Sequence, residues 1–365
     1  MNHWNYSFSR MRSFACVAIV FLHAMTYSMV SARSQGFSLT AAQTVGASLV
    51  QYSCMWAVPL FVMVTGALLL DHEKHFSWQK LWKKYIFRVG GAILLFGTLF
   101  LVFDLVMNGF AETLGNSAFY TMHPREGSGI GYAFLCGMID LLTGHSWAHM
   151  WYLYMLFGLY LLMPFFKKIA DNCSKNDIAA FLAICFVFLS VFPLLGIAGI
   201  STDYRFSIAT IYPFYLFLGY TLHDRDLPIP RMCVWAILAV STIAIWVSVF
   251  TMVGDPESKL SFLTSYNSVP IVLQAGSLFI LMDKSSSEYD VNEQTGGKKA
   301  LLSFDKASFG IYLIHFLFLK VAFRYLALSP YQHGWVFPVV IPLVIMFSWL
   351  ITEILKKIPG IRKIV

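Results

Sequence analysis

Arg12 and His23 stand eleven residues apart in an otherwise apolar stretch, Arg-Ser-Phe-Ala-Cys-Val-Ala-Ile-Val-Phe-Leu-His. On a helix that spacing is close to three turns, so the two side chains share nearly one face, with a rise of roughly 16 Å between them. An arginine fork binds phosphate through two parallel hydrogen bonds, and an imidazole accepts a proton near neutral pH. The pair suits a ligand with phosphates at one end and a reactive carbonyl at the end of a long arm, which is the shape of a coenzyme A thioester. Each residue alone has a plainer reading. Arg12 would serve as a snorkelling positive charge, and His23 as a hydrogen-bonding group between helices.

What positions this pair is a membrane bundle. Of the 365 residues, 58% are hydrophobic and 12% charged, against about 45–50% and about 25% in soluble domains. Ten apolar segments are long enough for a hydrocarbon core of about 30 Å: 12–31, 47–70, 85–107, 148–166, 178–197, 206–222, 233–253, 264–282, 306–328 and 336–355. Only helices and closed barrels satisfy their backbone in lipid, and runs this long and continuous are helices. The expected fold is therefore an all-α polytopic membrane helix bundle of about ten transmembrane helices, forming a single domain over 1–365. With the N-terminus inside, 20 Lys and Arg fall on inner segments and 6 on outer ones. That asymmetry predicts cytoplasmic N- and C-termini. Arg12 then sits at the inner surface and His23 near mid-membrane.

Two connections stand out. Residues 108–147 form an extracytoplasmic loop in which the short apolar stretch 130–142 reads as a re-entrant or interfacial segment. Residues 283–305 are polar and read as a flexible cytoplasmic linker. The net charge of +7 comes from basic inner segments and does not point to nucleic acid. The first apolar run is too long for a cleavable leader and reads as a retained helix. Cys16, Cys54, Cys136, Cys173, Cys185 and Cys233 have no CxxC or zinc spacing and read as packing residues.

His315 lies about as far into the ninth segment as His23 does into the first, so the two share a membrane depth and can face one cavity. Binding an acceptor, sharing a proton and fixing helix packing all stay open for it. Tyr312, one turn earlier, reads first as packing. Arg88, with Lys83 and Lys84 before it, forms a basic rim that attracts anions; Arg88 and Lys84 are the candidate donor-binding groups beside Arg12. Gly66 permits a close approach of a ligand or of another helix, packing being the simpler role. Asp104, Asp140, His145 and His149 lie toward the outer side, where they would line an acceptor entrance. The i, i+4 spacing of His145 and His149 is too few ligands for a metal, and no metal is expected. Trp147 and Trp151 read as interfacial anchors.

The Arg12-to-His23 stretch resembles the first-helix signature of the acyltransferase 3 family of membrane acyltransferases. Further segments follow in that family's order. Val58-Pro-Leu-Phe-Val-Met-Val-Thr-Gly66 is similar to its second-helix pattern, with Thr65 in place of serine. His149-Met-Trp-Tyr-Leu153 resembles a middle-helix start, and Ser308-Phe-Gly-Ile-Tyr-Leu-Ile-His315 resembles the late-helix motif. Glu353 loosely matches an acidic residue near the family's end. The resemblance covers essentially the whole chain. It implies that His23 is catalytic with Arg12 as its essential partner, that acetyl-CoA (or another acyl-CoA) is the donor, and that the acceptor is a hydroxyl of a cell-surface polysaccharide or lipid-linked glycan at the bacterial inner membrane. Direct transfer and an acyl-histidine intermediate both stay open. No extracytoplasmic hydrolase-like domain accompanies the segments, which is similar to the family's short subgroup. The rival reading is a transporter or flippase of lipid-linked sugars or organic anions. Many such proteins carry paired halves with broken helices, and no such pairing is visible here.

Overall fold

A computed structural model describes residues 3–73, 77–123, 127, 129–197, 210–225, 228–283, 288–290 and 296–365. Its main helices are α1 (Tyr6–Ser34), α2 (Ala41–Ser53), α3 (Ala57–Leu69), α4 (Phe87–Gly115), α5 (Ile130–Leu142), α6 (Trp151–Asn172), α7 (Lys175–Phe186), α8 (Ile211–Asp224), α9 (Arg231–Gly254), α10 (Val269–Asp283), α11 (Gly296–Lys320) and α12 (Val336–Leu355). Two three-residue strands, β1 (His3–Asn5) and β2 (Glu288–Asp290), pair antiparallel. Among the described residues nine helical stretches are long and apolar enough to cross a membrane, α2 and α3 together making one of them. The tenth expected segment, 206–222, begins outside the described residues, and its described part is the 14-residue α8. The protein is thus an all-α, polytopic helix bundle.

Helix starts follow local chemistry. The Asn5 side chain accepts from the Phe8 amide and caps α1. Thr40 with Gln43, and Ser174 with Asp177, form reciprocal capping boxes on α2 and α7, each satisfying two amides that a helix leaves open.

Two sequence boundaries need correction. The helix carrying His315 starts at Gly296, not at 306. Lys298, Lys299, Ala300, Leu301 and Leu302 are strong helix formers, so polarity marks where the apolar span begins rather than where the helix does. Residues 284–287 and 291–295 of the expected linker lie outside the described residues. The 108–147 connection is largely helical: α4 continues to Gly115 across a break at Gly109 (φ 77°), then Ala118–Met122 and α5 follow. Only glycine takes that φ without cost. At 13 residues α5 is about 20 Å long, too short to cross.

The chain divides into two compact units, Met1–His75 with Phe166–Leu350, and Phe76–Phe165 with Ile351–Val365. In the first, helix ends gather on one side. The Ser7 hydroxyl donates to the Met282 carbonyl (2.8 Å), and the Phe8 ring lies 4.9 Å from that of His223, which itself meets Asp283 (3.1 Å). His72 bonds Tyr220 (2.5 Å) and Asp171 (3.2 Å). The start of α1 therefore lies with the ends of α3, α6, α8 and α10, as alternating spans require. α3 and α8 approach so closely that a Cβ on Gly66 would fall 1.8 Å from the Leu216 carbonyl oxygen, and one on Gly219 would fall 2.1 Å from that of Met63. Helices in lipid associate through such close packing, because lipid gives them no hydrophobic incentive to do so.

In the second unit α4 packs on α5. The Trp147 indole donates to Asp104 (2.7 Å) and stacks on Phe100 at 4.2 Å.

Candidate functional site

α1 and α11 run parallel, and their contacts keep one register. Arg12 meets Asp305, the Cys16 thiol meets the Ser308 carbonyl (3.5 Å), His23 meets His315, and the Ser31 hydroxyl donates to the Phe323 carbonyl (2.9 Å). The sequence offset is 292 or 293 at every step. Such constancy means that the two helices advance together, so groups ten or eleven residues apart on each stay matched. Apolar side chains fill the spaces between, among them Val20, Ala24, Ile311 and Leu319, all buried. Past Lys320 the helix widens into a π turn, Val321–Tyr325. The Phe323 carbonyl there also accepts from the Gln35 amide (2.8 Å), which ties the far end of the pair.

At one end of this seam Arg12 is held by a carboxylate that the sequence reading missed. Its Nε donates to Asp305 Oδ1 and its Nη2 to Oδ2, both at 2.6 Å, while the Ser9 hydroxyl donates to Oδ2 at 2.5 Å. Asp305 is 4% exposed and Arg12 28%. This is the bidentate fork geometry that gives Arg–carboxylate pairs their directionality. It fixes one edge of the guanidinium and leaves the Nη1 edge outside the fork. Asp305 was hidden because the expected linker ended on it. The available signal was its spacing of ten residues to His315, which mirrors that from Arg12 to His23.

Near the middle of the seam, His23 Nδ1 and His315 Nε2 lie 2.8 Å apart with their rings nearly parallel, at 16°. His315 is wholly buried, and its Nδ1 lies 3.1 Å from the Ile311 carbonyl. His23 is half-buried; the Phe316 ring meets it edge-on at 5.8 Å. The expected shared depth of the two histidines is thus a direct contact. Tyr312 is buried with its ring 6.0 Å from that of His315.

The remaining candidates fall elsewhere. Arg88 and Lys84 belong to the second unit. Arg88 Nε donates to the Ile364 carbonyl at 3.4 Å, and the exposed Lys84 ammonium lies over the Tyr85 ring. Also in that unit, Asp140 accepts from the Phe119 amide at 2.8 Å, beside the Ser117 cap of Ala118–Met122, while Asp104 holds Trp147 and Asn108. Both carboxylates thus have partners within that unit. His145 and His149 do not share one helix face, since His145 lies in the connection after α5 and a short 3₁₀ turn begins only at Ala148. No group of metal-ligating side chains occurs among the described residues. Gly66 packs against the α8 backbone. Glu353 pairs with Lys356 one turn on (2.8 Å). Of the cysteines, Cys16, Cys136 and Cys185 are buried, and Cys173 and Cys233 are exposed.

Chemically, the seam offers a fixed cationic fork about 16 Å along one helix from a pair of imidazoles in contact. A family model described as an acyltransferase domain matches residues 5–353, a span that includes every residue of this seam. No curated protein and no solved structure matches.

Proposed function

The chain belongs to the acyltransferase 3 family of membrane acyltransferases, and we propose that it is an O-acetyltransferase of the bacterial inner membrane. In this reading it moves the acetyl group of cytoplasmic acetyl-CoA to a hydroxyl of a cell-surface polysaccharide or lipid-linked glycan, as the enzyme acting on enterobacterial common antigen does. The observation that carries the reading is the registered pair of polar contacts, Arg12–Asp305 and His23–His315, on two parallel helices. A merely structural seam has no need of a guanidinium edge outside its ion pair, nor of two imidazoles in contact among apolar side chains.

The donor's phosphates meet the Nη1 edge of Arg12 at the cytoplasmic end. The pantetheine arm runs along α1 and brings the thioester to His23. The acceptor hydroxyl attacks the thioester carbonyl as His23 takes its proton. The acyl–oxygen bond forms, the acyl–sulfur bond breaks, and the proton passes to the departing thiolate. General-base assistance of this kind contributes about 10²–10⁴-fold.

The test is mass spectrometry of surface glycans from cells that carry the wild-type protein, the His23→Ala variant or neither. The reading expects an acetyl mass increment on one glycan in the wild type alone, with the variant present in membranes at normal abundance. Glycans identical in all three would count against it, and so would a mark that persists in the variant. Donor or glycan crossing the membrane with no acyl mark would favour the transporter.

A further inference from the structure

We infer that His315 is a positioning residue that sets the tautomer of His23, so that His23 Nε2, not Nδ1, is the atom that takes the acceptor's proton. This rests on the acyltransferase reading and deepens it at the same site.

A run of hydrogen bonds starts at the Ile311 carbonyl. A carbonyl oxygen only accepts, so the ring nitrogen 3.1 Å from it, His315 Nδ1, carries a hydrogen. A neutral imidazole has one N–H, so His315 Nε2 holds a lone pair. His315 is wholly buried, in a stretch where a second proton would place an ionised ring among apolar side chains, which is unfavourable in a membrane span. The neutral form is therefore the resting one. His23 Nδ1 lies 2.8 Å from that lone pair, and a hydrogen bond there requires the hydrogen on His23 Nδ1. The one remaining nitrogen of neutral His23, Nε2, then carries a lone pair directed away from His315. Ile311, His315 and His23 form a chain in which each hydrogen bond dictates the next, the arrangement that commonly fixes which nitrogen of a functional histidine is basic.

The same chain serves the transfer step. When His23 Nε2 takes the hydroxyl proton, the ring becomes a cation whose Nδ1–H already points at His315 Nε2. That bond becomes charge-assisted and strengthens, with no group having to turn. The proton then leaves from Nε2 to the thiolate of coenzyme A, and both rings return to their starting tautomers. His315 takes up no proton over the cycle and touches no substrate.

Two variants separate this role from its neighbours. His315→Gln places an amide near the position of Nε2. Its oxygen accepts from His23 Nδ1 but has no basic nitrogen. His315→Leu fills the space and accepts nothing. In purified full-length protein in nanodiscs, supplied with labelled acetyl-CoA and the acceptor glycan, the leucine variant is expected to lose on the order of 10²-fold in kcat with little change in KM for the donor. The glutamine variant is expected to recover to within about tenfold of wild type. Equal, deep losses in both would make His315 a proton carrier, and full activity in the leucine variant would make it packing; either overturns the inference.

A second readout is independent of turnover. Nitrogen NMR of ¹⁵N-histidine-labelled protein, with the His23 signals identified by their disappearance in His23→Asn, distinguishes N–H from bare ring nitrogens. The expected pattern is a protonated Nδ1 and a bare Nε2 at His23; the reverse overturns this inference while leaving an active His23 in place. If His23→Ala transfers acetyl as wild type does, the assignment of the base falls, and this inference with it.

Discussion

Two helix seams in the first unit solve the same problem by opposite means. Between α3 and α8, Gly66 and Gly219 remove side chains altogether, and backbone meets backbone. Between α1 and α11, side chains remain, and several are polar: Ser9, Arg12, Asp305, His23, His315 and Ser31. The first arrangement gains close packing and has no groups to do chemistry. The second accepts the cost of ionisable groups inside an apolar bundle and meets it by pairing each with a partner of matched geometry. Polarity along a helix seam has to be read with its partners. Asp104 and Asp140 of the second unit are as polar as Asp305, yet each holds a helix end or an indole, whereas Asp305 aims a cation.

Substitutions on either seam test this difference. The largest effect is expected on the polar seam: His23→Ala should lower acyl transfer about 10³-fold, roughly 4 kcal/mol of barrier, with unchanged membrane abundance, as read by a donor-consumption assay. Next is Asp305→Ala, which leaves Arg12 without its counter-charge. Uncompensated buried charges cost about 3–5 kcal/mol; since Arg12 keeps 28% exposure, the loss should be nearer ~2–3 kcal/mol. It should appear as a lower unfolding midpoint together with a raised KM for the donor. Adding Arg12→Ala should restore the midpoint but not the KM, and restoration of both would remove Arg12 from donor binding.

On the glycine seam, Gly66→Ala puts a methyl group into the Leu216 carbonyl, and overpacking of this kind costs about 1–3 kcal/mol. Thermal unfolding in detergent should shift down while turnover per folded molecule holds. A fall in turnover without a fall in stability would give Gly66 a role in the site. The smallest effect belongs to the second unit. Asp140→Ala removes the acceptor of the Phe119 amide, a hydrogen bond worth about 1 kcal/mol, measurable as a small drop in midpoint with transfer intact.

Much of this was legible in the sequence, for identifiable reasons. Length and apolarity fix helices in lipid, and Arg12 and His23 are conspicuous because a charge in an apolar run has few explanations. The depth match of His23 and His315 followed from counting residues from the inner face, and parallel helices turn that count into a contact. Asp305 escaped because hydropathy reports where lipid begins, and α11 starts ten residues before that point, so a carboxylate on its third turn looks like loop. The roles of Asp104 and Asp140 escaped because their partners, the Trp147 indole and the Phe119 amide, come from other elements. Backbone donors have no signature in sequence, and a carboxylate that holds an amide and one that aims a guanidinium are the same letter.

The account turns on one proton acceptor, and incubating membranes with radiolabelled acetyl-CoA tests it most directly, comparing wild type with His23→Ala at matched abundance. Label should move into a glycan with the wild-type protein and stay in the coenzyme with the variant. Equal label in the two glycans would contradict the account at its root.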